Sequence, residues 1–467
     1  MRTLFRRLRQ AVHGRRAGAR PRAYRPSLEV LEGRCVPASL AGFHVTNLVS
    51  DQPGVAQITD PNLVNAWGIA LSPTDGAFWV SDNNTNVATL YRGDVNGSSL
   101  VKVGLTVAMP NNGSPTGQLF NTTNEFILSD GSKALFIFAD ESGQIDAWNP
   151  GLNPITQAEV VARVPGADFT GITIDTVTDF QGMPRSVLLA VDNASGKIDI
   201  FDRSFRPIHL TPELFRDPAV PQDFHAYNIK NLGNNLIAIS YARSDIAPGF
   251  GMVGIFTNRG QFVTNLQGNV FSAPWAMTLA PSNFGPFSND LLVGNLDSGW
   301  IAAFNPNNGQ FVDFLRDQSG NIISIDGLWG LQFGNGVSAG DSNALYFSSG
   351  PDFYQHGLFG SLRFVPATTA ASVEKTSMAD AVTAPSTDLA MLAHSLMDSS
   401  SMMAAPPPVA ASPHPARGSS STETSAVSTS HSATLIPDSG AHGHTRAGAV
   451  VNAIDHLFAA DPPFGSM

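Results

Sequence analysis

The chain has 467 residues, 42% of them hydrophobic and only 14% charged, with 43 glycines and 32 prolines. That is enough apolar material for a large core, in a turn-rich composition that suits all-β architecture. The net charge of −11 conceals an asymmetry, because residues 1–34 carry +8 (ten arginines against Glu29 and Glu32) and the remainder −19; the acidic remainder argues against nucleic-acid binding by the folded part, since phosphate would be repelled.

Residues 1–41 read as a basic leader without the apolar run of an ordinary secretory signal. Cys35 is the single cysteine, so no intramolecular disulfide can form. No apolar run is long enough for a membrane span.

From residue 42 the chain repeats itself. Six segments share an inner-strand pattern: Ala66–Leu71, Pro115–Phe120, Phe169–Ile174, Ala226–Asn231, Pro274–Leu279 and Leu328–Phe333. Their third positions fall at 68, 117, 171, 228, 276 and 330, and four of the six are glycine. A small residue at a fixed place in a strand predicts either close backbone approach or an unusual dihedral.

Each segment is followed by a second apolar strand that tends to end in a small polar or acidic residue: Phe78–Asp82, Leu135–Asp140, Leu188–Asp192, Leu236–Tyr241, Leu291–Asn295 and Leu345–Ser349. A third strand with a G-x-I-x-x-F look follows in four units, at Gly143–Trp148, Gly196–Phe201, Gly251–Phe256 and Gly299–Phe304. The unit Ala273–Leu315 shows the full set of four strands, ending in Phe311–Leu315. Six units of this kind predict a six-bladed β-propeller over residues 42–366, which hides sheet edges by radial repetition. The sixth unit lacks a fourth strand, and Phe43–Val49 has no other partner; the expectation is a three-plus-one closure with the N-terminal strand outermost.

Residues 367–467 shift to Ala, Ser, Thr, Pro, Met and His, the composition of a disordered tail. Asp388–Met397 and Val450–Ala460 are its two candidate short helices.

Two resemblances add to this. The stretch Leu28–Ala38, LEVLEGRCVPA, resembles the LE-x-LE-x-R-x-x-PA leader of planctomycete secreted or surface proteins, which implies export. The inner-strand pattern, the LLVGN unit at Leu291–Asn295 and the closing IDGLWGLQFGNG, LYFSSGP and HGLFGSL segments together resemble a family of uncharacterised bacterial extracytoplasmic propellers. That family is distantly similar to the NHL-repeat and gluconolactonase-like group. The resemblance implies the fold and an extracytoplasmic location, secreted or at the cell surface, with the tail as a possible link to the envelope; it implies no activity. It also implies an acidic residue just before His-Gly-Leu-Phe-Gly, where this chain has Tyr354-Gln355 ahead of His356.

Propeller ligands usually sit at the mouth of the central channel. Asn65, Asp168, His225, Asn228 and Asp326 lie near the inner-strand entrances, and Asp82, Asn83, Asp140, Asp192, Asn295 and Asp297 at the ends of second strands. With Trp67 and His356, the set Asn65, Asp82, His225, Asn228, Asn295 and Asp326 is the candidate ligand-binding group. Asx residues at blade turns also cap loops, and Trp67, Trp275 and Trp329, at one position of the repeat, suit either blade packing or a sugar platform.

No nucleophile, P-loop, metalloprotease or dinucleotide signature occurs, so no catalytic residue is named. The leading expectation is a binding or scaffold module for a small molecule, glycan or protein. The alternative, implied by the gluconolactonase-like resemblance, is a metal-dependent lactonase-like hydrolase. Its divalent cation, Ca²⁺ for example, would be held in part by Asn228 and Asp326.

Overall fold

A computed structural model describes residues 40–178, 183–208, 214–243 and 250–368. The leader with Cys35 and the tail with its two candidate helices lie outside these residues. Strands run from Gly42 to Val365 in six sheets among the described residues, and five of the six sheets are four-stranded antiparallel meanders.

Blade 1 is Ala66–Ala70, Phe78–Asp82, Val87–Arg92 and Val101–Ala108; blade 2 is Pro115–Phe120, Phe136–Asp140, Gln144–Trp148 and Glu159–Arg163. Blade 3 is Phe169–Thr178, Pro184–Asp192, Lys197–Phe201 and Pro207–Ile208; blade 4 is Phe224–Gly233, Leu236–Arg243, Met252–Thr257 and Phe262–Asn265. Blade 5 is Pro274–Leu279, Leu291–Asn295, Ile301–Phe304 and Phe311–Phe314.

Blade 6 closes the ring as the sequence predicts. Leu328–Phe333, Leu345–Ser349 and Leu358–Val365 accept Gly42–Ser50 as an antiparallel fourth strand, from Gly42 opposite Val365 to Ser50 opposite Leu358. One detail differs. Gly42–Ser50 is not outermost, because the two-residue strand Ile58–Thr59 pairs with it in parallel. The chain doubles back there through the turn after Ser50, covering part of an edge that would otherwise be open. The third strand of blade 1, Val87–Arg92, lacks the G-x-I-x-x-F signature and was not legible from it.

Second strands are buried throughout in blades 1, 2, 5 and 6. A strand covered on both faces by neighbouring blades needs a continuous apolar run rather than alternation, which is why these segments read as FWVSD, FIFAD, LLVGN and LYFSS. The outer strands Phe262–Asn265 and Phe311–Phe314 are only half-buried, each with an exposed valine. The core is a ring: six hydrophobic clusters, each between two adjacent blades. A seventh cluster, of Trp67, Tyr227, Trp275, Trp329 and their neighbours, sits where the inner strands converge.

The inner-strand glycines are there for proximity. None of Gly68, Gly117, Gly171 and Gly330 has a positive φ. A Cβ on Gly117 would stand 2.9 Å from the Cα of Gly171 in the next blade, and one on Gly330 would stand 2.7 Å from the Trp67 carbonyl oxygen. Side chains then tie the inner strands together around the axis. Thr116 donates to the Phe169 carbonyl (2.6 Å), Thr170 to that of Tyr227 (2.7 Å) and Asn228 to that of Trp275 (2.9 Å).

Candidate functional site

The second position of the inner-strand pattern carries Trp67, Thr116, Thr170, Tyr227, Trp275 and Trp329 in blades 1 to 6. The three tryptophans meet across the axis. Trp67 stacks on Trp329 with centroids 3.8 Å apart and planes at 14°, and Trp275 lies edge-on to both at 5.4 and 4.6 Å. Tyr227 packs on Trp275 at 4.6 Å. All four are buried. Rings held this way by one another form a lid on the channel rather than open platforms for sugars, so of the two expectations for these tryptophans the packing one holds.

Above Trp329 lies the segment Pro351–His356. Tyr354 packs its ring 5.0 Å from that of Trp329. Asn65 anchors the arrangement: its Oδ1 accepts from Trp329 Nε1 at 2.8 Å, its Nδ2 donates to Asn83 Oδ1 at 3.0 Å, and its backbone N–H donates to the His356 carbonyl. Asn84 donates to the Tyr354 carbonyl at 2.8 Å, and Asp326 accepts from the Asp352 N–H at 2.9 Å. Three consecutive non-glycine residues, Asp352, Phe353 and Tyr354, hold φ values of 55°, 54° and 66°. Such left-handed residues carry strain and persist only where the surroundings over-determine them. The result is to project Phe353 into solvent at 89% exposure, beside the exposed carboxylates of Asp326 and Asp352.

His356 has the acidic partner whose place in the sequence is taken by Tyr354-Gln355. Asp51 Oδ2 lies 2.8 Å from His356 Nδ1, and Asp51 Oδ1 accepts from the Gly357 N–H at 2.9 Å. The carboxylate thereby fixes a proton on Nδ1, and Nε2 stands 4.0 Å from Asp352 Oδ2.

Of the expected site residues, Asn65, Trp67, Asp326 and His356 are thus gathered with the tryptophan lid and the segment above it. Asn228 lines the channel cavity beneath. The other three lie elsewhere. Asp82 is fully buried inside blade 1; burial pushes its carboxyl well above the ordinary value, outweighing the opposing pull of neighbouring Thr89, and the Asp60 charge adds to the rise. Asn295 is also fully buried, accepting from the Ser272 N–H at 2.8 Å and donating to the Trp300 carbonyl at 3.1 Å. His225 holds the Asn193 carbonyl at 2.6 Å and lines a cavity of about 670 Å³ formed by residues of blades 3 and 4.

The divalent-cation expectation finds no fit in these residues. Asn228 engages its amide with the Trp275 carbonyl and its Oδ1 with the Ile229 N–H. Asp326 lies instead with Asp352, and no group of three or more His, Cys, Asp or Glu able to hold a metal occurs among the described residues. Ca²⁺ asks for about six to eight oxygens.

Sequence reasoning missed Asp51, Phe353, Tyr354 and the channel residue Lys230. A signal existed only for the last: Lys230 puts a charge where the other inner strands have Ala70, Leu119, Thr173, Thr278 and Gln332.

The fold and face define a six-bladed propeller with tryptophan rings packed across its channel and a rim built up by Pro351–His356. The chain is 30% identical over 337 residues to uncharacterised protein R648 of Acanthamoeba polyphaga mimivirus, covering 68% of this chain and 80% of that protein, and it belongs to the same family. Uncharacterised protein L690 of the same virus is 29% identical over 341 residues, covering 69% of this chain and 86% of that one. No family model matches.

Among solved structures the chain is similar to an α-L-arabinofuranosidase mutant from Fusarium graminearum, in complex with an iminosugar inhibitor (10% identity, TM-score 0.44, 69% of this chain and 98% of that one). It is also similar to a glucose dehydrogenase (12% identity, TM-score 0.40, 70% and 100%). Likeness at this level bears on neither activity nor ligand. The propeller and the uncharacterised family are supported; the bacterial, planctomycete and NHL-type affiliations gain no support from these relatives.

Proposed function

We propose that this protein is a non-catalytic binding propeller that engages a polypeptide partner through the Pro351–His356 ridge. The observation that carries it is Phe353, an aromatic ring 89% exposed on a strained turn that is clamped from below by Asn65, Asn84 and Trp329. A large apolar group held out at the cost of backbone strain is the form of a recognition anchor. The exposed carboxylates of Asp326, Asp352 and Asp297 around it suit a partner whose apolar pocket has a basic rim. We include extracytoplasmic action in the same proposal, on the strength of the Leu28–Ala38 leader resemblance.

The test is site-specific photo-crosslinking from position 353 in cells that express the full chain, with Phe353→Ala as the competitor for binding. The expected result is one discrete adduct, and a variant that folds with an unchanged melting temperature yet no longer displaces the wild type from it. An adduct absent at position 353, or competition undiminished by Phe353→Ala, sinks the reading.

One observation favours the hydrolase alternative: the Asp51–His356 pair leaves Nε2 available as a general base. Turnover of any member of a lactone panel that disappears in His356→Ala would establish it in place of the non-catalytic reading.

A further inference from the structure

Beneath the tryptophan lid the channel holds a cavity of about 60 Å³, with room for about four waters. Lys230 of blade 4 lines it, together with Trp67, Gln118, Asn228 and Trp275. Its ammonium has a single hydrogen-bond partner, Gln332 Oε1 at 3.4 Å, and no carboxylate pairs with it among the described residues. Lys230 is half-buried, and a cation drawn partly out of water without a counter-charge carries a cost that a bound anion would offset. Burial does lower the affinity of this amine for its proton.

Two more groups in the same lining lack partners. Trp67, 6% exposed, has its Nε1–H donor unpaired; Gln118, 8% exposed, has its Oε1 unpaired while its Nε2 donates to the Gly68 and Trp79 carbonyls at 2.7 and 2.8 Å.

We propose that the central channel binds a small monovalent anion, seated on the Lys230 ammonium, with the Trp67 Nε1–H as a second donor. Gln118 Oε1 accepts from a water that accompanies it. The cavity's size restricts the class to halide, formate or nitrate, and leaves out phosphate esters and larger carboxylates. Because the protein beyond residue 34 carries −19, the surrounding field works against the anion, and the site depends on this one lysine. The ligand therefore ties blade 4 to blades 1 and 2 across the axis, at a level below the lid, and is independent of whatever the outer ridge recognises.

The experiment uses the full chain, with bromide replacing gluconate at constant ionic strength. Thermal unfolding is followed for the wild type and for Lys230→Met, which removes the charge and keeps an unbranched chain. Generic salt effects act on both, so the difference reads the site. The expected result is a saturable rise of the wild-type melting temperature relative to the variant, with apparent bromide affinity at least tenfold weaker in Lys230→Met. Identical bromide responses overturn the proposal. Crystals of the wild type in bromide need no variant: an anomalous peak beside Lys230 Nζ supports the site, and a channel without one overturns it.

Discussion

At the scale of single residues, the repeat marks positions whose reasons lie in a neighbouring blade. The small third residue of each inner strand was legible because it recurs; its cause was not, because the atom that forbids a Cβ at Gly117 belongs to Gly171, in the next unit. Gly117→Ala is expected to destabilise the fold by about 1–3 kcal/mol, the cost of overpacking a close contact, read as a lower denaturation midpoint with an unchanged slope. Asp82 makes the opposite point. Its place at the end of a second strand suggested a ligand, yet it is fully buried inside blade 1. Its carboxyl is raised well above the ordinary 3.8, so the folded state holds the proton more tightly than the unfolded chain. Stability from this group is therefore fully present below the unfolded value and is lost as pH rises through the folded one. Asp82→Asn should accordingly gain in melting temperature relative to wild type at neutral pH and lose that gain towards pH 4 (the ordinary value is 3.8). A gain that is the same at both would show that the charge is not the cause.

At the scale of elements, strand order was legible and strand dressing was not. Short apolar runs punctuated by Gly, Pro and Asn gave the first two strands of all six blades, the third strand of blades 2 to 5 and the fourth of blade 5, and pointed to Phe43–Val49 as the missing strand of blade 6 because it had no other partner. The short strand Ile58–Thr59 could not be read, because two residues carry no pattern. Nor could the Pro351–His356 ridge, whose left-handed backbone falls on residues that do not advertise it. Asp51 and His356 are 305 residues apart and meet only when the ring closes. The closing strand is held by packing as well as by its ladder: Phe43 is 2% exposed and lies 4.9 Å from the ring of Phe284 and 5.5 Å from that of Phe364. Phe43→Ala should cost about 3–5 kcal/mol in chemical denaturation. A loss below about 1 kcal/mol, the scale of an ordinary surface substitution, would mean that the clasp contributes little to the folded state.

At the scale of the whole molecule, six inter-blade clusters of similar make form the core around the central tryptophans. Chelation of the purified full chain is expected to leave its melting temperature unchanged; a stoichiometric divalent ion whose removal lowers it would reopen the metal-dependent reading. The closure of blade 6 also has a mechanical side. Gly42 and Val365 face each other at the same end of an antiparallel pair, so a pull on the chain from both flanks bears first on that end of the ladder and on the bond from the Phe43 N–H to the Arg316 carbonyl beside it. The bonds then break in succession, as in a zipper, instead of sharing the load as they would in shear. Under tension between its two flanks this domain yields first at its clasp, releasing Gly42–Ser50 and exposing the edge of Leu358–Val365 while the other five blades remain folded.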